Sequence, residues 1–184
     1  MTRILHRFLR KQDGIAAVEF ALFLPILLTM FIGVVEITRY IIITQKTEKA
    51  AVTMSDLVAQ SDDVSTSDLD ILVEAAGEVM KPLDFSTSGF VIVSSVSRVG
   101  SNPATINWQY TGGGDFTQSS QIGFQGGAAT LPAGFTLDPN EGVIVAEVYF
   151  SFDPLFTGAL LPSRTIYRVG VYKPRLGELT SLGA

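Results

Sequence analysis

From Phe20 to Val35 the chain runs sixteen residues without a charge, inside a longer apolar segment covering 15–43. At 1.5 Å per residue, a helix over that segment is roughly 43 Å long, more than the ~30 Å hydrocarbon layer of a bilayer. No other feature restricts the fold as much, because it predicts a helix that crosses a membrane near the N-terminus. It also accounts for the composition. The chain is 47% hydrophobic and 17% charged, too apolar for a disordered protein and rich for a soluble one. The 184 residues leave room for one ordinary domain beside the helix.

The flanks of the segment are informative. Residues 1–14, MTRILHRFLRKQDG, set Arg3, Arg7, Arg10 and Lys11 against one acid, Asp13. A basic flank of this kind stays cytoplasmic, so the helix is expected to run outward. The segment also contains Glu19, Pro25, Gly33, Glu36 and Arg39. Glu36 and Arg39 stand three apart on one helical face and are expected to pair where the helix leaves the membrane. Pro25 has no amide to donate, and is expected to bend or loosen the helix near Phe20 and Ala21. A charge near the centre of a membrane helix costs roughly 2.5–3.5 kcal/mol. Glu19 lies nearer the edge, but it still calls for a partner. Gly14 offers one route to it: a glycine lets a protease approach the backbone closely. A cut after Gly14 frees the amine of Ile15, the natural partner of Glu19 in the same or a neighbouring subunit.

This arrangement resembles a type IV prepilin signal. More narrowly, Gly14-Ile-Ala-Ala-Val-Glu-Phe-Ala-Leu-Phe-Leu-Pro25 resembles the TadE-like minor pilins of tight-adherence pili, and Val35-Glu36 followed by Arg39-Tyr40 is similar to that family's helix exit. The resemblance covers about residues 7–60 and does not reach the rest of the chain. It implies cleavage between Gly14 and Ile15 by a prepilin peptidase on the cytoplasmic face. It also implies insertion of the mature helix among other pilins and minor pilins, or into the pilus assembly platform of the inner membrane. The implied protein is a peptidase substrate rather than an enzyme. Its single pass puts the C-terminal part in the periplasm, with incorporation into an extracellular pilus. Two other readings stay open: a type II secretion pseudopilin, and a membrane-anchored periplasmic binding or enzymatic module.

Beyond the span, Ala50, Ala51, Met54, Leu57 and Val58 recur at three and four, so one helix is expected from about Ile15 to about Ala59. The alanines Ala50, Ala51 and Ala59 suit close packing, either with neighbouring helices in a filament or with the chain's own sheet. After the polar break SDDVSTSD, a second helix is expected with Ser67 as its N-cap. Its apolar face is Leu69, Leu72, Val73, Ala76 and Val79, and Pro82 ends it. Four β-branched stretches follow, Phe90–Val99, Thr105–Thr111, Val143–Phe152 and Thr165–Tyr172, separated by turn signals such as Asp138-Pro139-Asn140. No helix intervenes, so the sheet is expected to be antiparallel and the fold class α+β. The organisation expected is a leader over 1–14, a long helix over 15–60, and a linker with a short helix over 61–88. An exported β domain over 89–184 completes it. The Gly- and Ser-rich interval 112–141 reads as a flap or a partly mobile segment. The tail from Lys173 is expected to be loosely ordered.

Several function classes drop out on residue counts. There is no cysteine, and the one histidine is His6 in the leader. That removes disulfides, thiolate chemistry, a Ser-His-Asp triad and a multi-histidine metal site from the main domain. Without the leader's four bases and one acid, 17 acids face 9 bases over residues 15–184, a formal net charge of −8; a nucleic-acid partner is not expected. Asp63-Val-Ser65-Thr-Ser67 matches a metal-binding Asp-x-Ser-x-Ser pattern but follows no strand, so it reads as a linker and helix cap. Asp62, Asp63, Asp68 and Asp70 lack the glycine and terminal glutamate of an EF-hand and read as a solvated face. Gly112-Gly-Gly114 has no Gly-Lys-Ser after it and reads as a turn. Trp108, Tyr110, Tyr149, Phe150 and Phe152 alternate on strands and read as core before they read as a binding strip. No cofactor is expected.

Overall fold

A computed structural model describes residues 14–156 and 161–183; the leader bases Arg3, Arg7, Arg10 and Lys11 lie outside them. Helix α1, Ile15–Ala59, has 45 residues and is roughly 68 Å long. It continues unbroken through Pro25, and the Thr29 hydroxyl donates to the Pro25 carbonyl at 2.8 Å. Residues 15–31 are exposed on every side. Burial begins at Glu36 and continues at Ile43, Thr47, Ala50, Ala51, Met54, Ser55, Val58 and Ala59. Those steps of three and four mark one stripe on the second half of the helix.

That stripe lies on a four-stranded sheet made of β1 (Gly89–Arg98), β2 (Thr105–Gly113), β3 (Glu141–Phe152) and β4 (Arg164–Tyr172). The order is β2-β1-β3-β4, and every neighbouring pair is antiparallel. The fold is α+β. Side chains alternate across the pleat. Val91 and Val93 of β1 and Ile144, Ala146, Val148, Phe150 and Phe152 of β3 join the helix-side core, together with Trp108. Here the aromatic residues act as core: Trp108, Tyr149, Phe150 and Phe152 are all buried.

Contact between helix and sheet is closest at β4. A Cβ placed on Gly170 would lie 2.4 Å from both the Ala51 carbonyl oxygen and Ser55 Oγ. The helix backbone therefore rests almost directly on the strand, and only small side chains permit it. Ala50, Ala51 and Ala59 are fully buried within the chain; of the two roles open to them, they take docking on their own sheet.

The opposite face of the sheet is also covered. Val96, Ile106, Val143 and Val145 pack under Ile122 and Leu137 of the 112–141 interval. That interval is a packed cover rather than a mobile flap. Thr130 donates its amide to Ile122 and Ala129 donates to Ala104, both at 2.8 Å.

Two further expectations need correction. Helix α2 is Thr66–Met80 and its N-cap is Ser65, not Ser67. The Asp68 amide donates to Ser65 Oγ, and the Ser65 amide donates back to the Asp68 carboxylate, a reciprocal capping box; Asp70, at the same spacing from Ser67, accepts from the Tyr110 hydroxyl instead. These bonds from Ser65 hold the Asp68 carboxyl below its ordinary range. A one-turn helix, α3 (Phe85–Ser88), follows, capped by Asp84. The C-terminal tail is also not loose. The Trp108 indole donates to the Leu179 carbonyl at 2.8 Å, Leu179 is buried, and the Gly183 amide donates to Val64. A buried indole N–H needs an acceptor, and the tail supplies it.

Candidate functional site

The candidate features lie along α1. Gly14 is its N-cap, with helical φ −91° and ψ −14°. Among the described residues a Cβ there would meet nothing within 4 Å, so none of them crowds the Gly14–Ile15 bond at the first turn. Ile15 is 54% exposed, and Glu19, one turn on, is exposed too. Among the described residues no basic group pairs with Glu19. The first half of this helix is strongly apolar and almost wholly exposed. An apolar face of that size left bare marks an interaction with lipid or protein, and the helix fits a single-pass membrane anchor.

At the end of the apolar run Glu36 is buried, 1% exposed. Its Oε1 accepts the amides of Leu155 at 2.7 Å and Phe156 at 3.1 Å, from the β3–β4 connection. Its Oε2 lies 3.6 Å from Arg39 Nη1, a separation that makes an ion pair without a hydrogen bond. Arg39 stacks over Phe152 at 5.8 Å and Arg164 over Tyr40 at 5.4 Å. Sequence reasoning reached Glu36 and Arg39 but missed the loop amides, which lie 119 and 120 residues away and leave no local signal.

It also missed Glu147, a carboxylate fully buried in the middle of β3 on the covered face of the sheet. The Ser120 hydroxyl donates to it at 2.5 Å, the Gln121 amide at 2.8 Å and the Tyr167 hydroxyl at 3.1 Å. The Tyr149 hydroxyl is 3.1 Å from it and 3.0 Å from the Ser119 carbonyl, with one proton for the two. Glu147 thus ties the 112–141 cover to the sheet by hydrogen bonds, and among the described residues no basic group shares it. The one signal in the sequence is an acid inside Val143–Phe152, where every other residue except Ser151 is apolar. Glu147→Ala should lower stability by about 3 kcal/mol or more, because several buried donors lose a charged acceptor together. Thermal unfolding checks this, and the cover should become protease-sensitive first.

Three tyrosines carry the imprint of these acids. Burial first, then the field of Glu147, raises the Tyr149 and Tyr167 hydroxyls well above the ordinary value near 10. Burial first, then the hydrogen bond to Asp70, pushes Tyr110 up to about 12. A folded value above the unfolded one means stability that is complete below about pH 10 and is lost as pH rises. In an absorbance titration, three of the five tyrosines should stay protonated at about pH 11 and ionise with unfolding.

The acidic cluster disperses. Asp63 accepts the Val64 amide, Asp68 caps α2, and Asp70 accepts from Tyr110. Among the described residues no group of three or more metal-ligating side chains gathers.

Fold and site together define a class: an apolar N-terminal helix carrying a small antiparallel sheet domain. Residues 14–53 match the model of the family described as TadE-like protein, in agreement with the sequence resemblance. The match lies wholly within α1 and its N-cap; it stops before α2 and includes none of the sheet. No curated protein and no solved structure matches the chain.

Proposed function

We propose that the chain is a minor pilin or pseudopilin of a tight-adherence pilus, anchored in the inner membrane with its sheet domain in the periplasm. One observation carries the reading. The TadE-like match, 14–53, coincides with a bare apolar helix that opens on Gly14 and carries Glu19 one turn in. A plain anchor for an enzyme needs only the apolar run, and has no use for that glycine and acid.

On this reading Arg3, Arg7, Arg10 and Lys11 hold the leader in the cytoplasm. Prepilin peptidase hydrolyses the Gly14–Ile15 bond, leaving a carboxylate on the leader and an ammonium on Ile15. That ammonium meets Glu19 of a neighbour, which sets the register of adjacent helices and relieves the cost of an intramembrane charge. Pro25, with no amide to give the helix ladder, supplies local softness for the passage from bilayer to filament. Glu36 and Arg39 mark the exit. The sheet domain remains outside, where it takes part in assembly and surface attachment beside other pilins, without cofactor or catalysis.

Deleting the gene tests this against the type II pseudopilin. Loss of tight-adherence pili and of surface attachment, with protein secretion intact, is the expected result. Lost secretion with intact pili would assign the chain to the other system.

A further inference from the structure

We propose that Leu155 and Phe156, in the first part of the β3–β4 connection, are a second membrane-contacting element, which seats the sheet domain on the lipid surface at a fixed depth. The proposal rests on the membrane-anchor reading above and extends it to a part of the chain far from the span. Leu155 and Phe156 are 61% and 47% exposed, although both follow a strand whose apolar residues are buried. Their level along the helix is fixed, because their amides bond to Glu36. Twenty-one residues from Ile15 to Val35 span roughly 31 Å, one hydrocarbon thickness. Glu36 therefore stands at the outer boundary of the bilayer, and the two side chains stand beside it.

The surrounding chemistry fits an interface. A backbone amide that enters lipid unpaired costs several kcal/mol. Here the Leu155 and Phe156 amides already have an intraprotein acceptor, and that acceptor is itself buried and faced by Arg39. Tyr40 and Arg164 stack one turn further out, as amphipathic aromatic and basic side chains do at headgroup level. Lipid is favoured over a neighbouring subunit because Glu36, which holds both amides, directly follows the bare apolar run of α1.

The absence of cysteine makes single labelling direct. Full-length protein carrying Leu155→Cys or Phe156→Cys is labelled with an environment-sensitive fluorophore and reconstituted in phosphatidylethanolamine–phosphatidylglycerol vesicles. Phe31→Cys reports the span. Leu176→Cys serves as the aqueous control, because its neighbour Arg175 pairs with Asp56, twenty residues and roughly 30 Å beyond Glu36. The expected result is a blue-shifted emission, quenched by spin-labelled lipid, at 31, 155 and 156 but not at 176. Adding Glu36→Ala to Phe156→Cys should reduce the shift at 156 and leave that at 31 unchanged. Labels at 155 and 156 that match 176 while 31 reads lipid would overturn the proposal and leave the anchor standing; protection of 155 and 156 only in assembled pili would overturn it in favour of a subunit contact. A label at 31 that reads water would remove the anchor itself, and the proposal with it.

Discussion

Gly170→Ala should destabilise the folded chain by about 3 kcal/mol, an unusual cost for one methyl group on a strand. The added Cβ would sit 2.4 Å from the Ala51 carbonyl oxygen and 2.4 Å from Ser55 Oγ. The first is helix backbone and has no rotamer to escape into. Ser55 is itself buried, its hydroxyl donating to Ala51. The helix must therefore move off β4, loosening the apolar stripe from Ile43 to Ala59. For a chain of this size the melting temperature should fall by roughly 6–12 °C. Gly142→Ala is the matched control on β3. Its nearest contact is an ordinary 3.6 Å to the Val96 carbonyl, and it should melt close to the parent. Equal melting of the two variants would mean that helix and strand do not meet as described.

Glu19→Ala has the largest expected functional effect. Glu19 is exposed, and nothing in the described fold depends on it, so folding and cleavage after Gly14 should be unaffected. Assembly should suffer, because each neighbour's Ile15 ammonium loses its partner in an apolar setting, where an unpaired charge costs roughly 2.5–3.5 kcal/mol. A tenfold change corresponds to about 1.4 kcal/mol, so sheared pili should drop by at least about tenfold. Glu19→Asp, which keeps the charge, should restore part of the yield. Normal piliation by Glu19→Ala would remove the registration role.

What the sequence made legible follows from locality. α1 and the four strands are written in runs of neighbouring residues, and their bounds fall within a residue or two of the structure. The N-cap of α2 differs by two positions, because Ser65–Asp68 and Ser67–Asp70 share the capping-box spacing and only the fold chooses between them. Features built from distant pieces had no such record. Ile122 and Leu137 close one face of the sheet from an interval with no periodicity. Leu179 reaches Trp108 across 71 residues. Glu36 reads as the partner of Arg39, yet its hydrogen bonds go to two loop amides that no spacing rule connects to it. Gly170 carries no mark in the sequence, and only the helix lying on β4 gives it a role.

The central claim is that α1 begins its working life at Ile15. Mature protein isolated from native membranes, with and without the cognate peptidase, should be sequenced from its N-terminus. The account predicts Ile15-Ala-Ala-Val-Glu in cells with the peptidase and the intact Met1 leader in cells without it. A Met1 terminus in peptidase-active cells would contradict it.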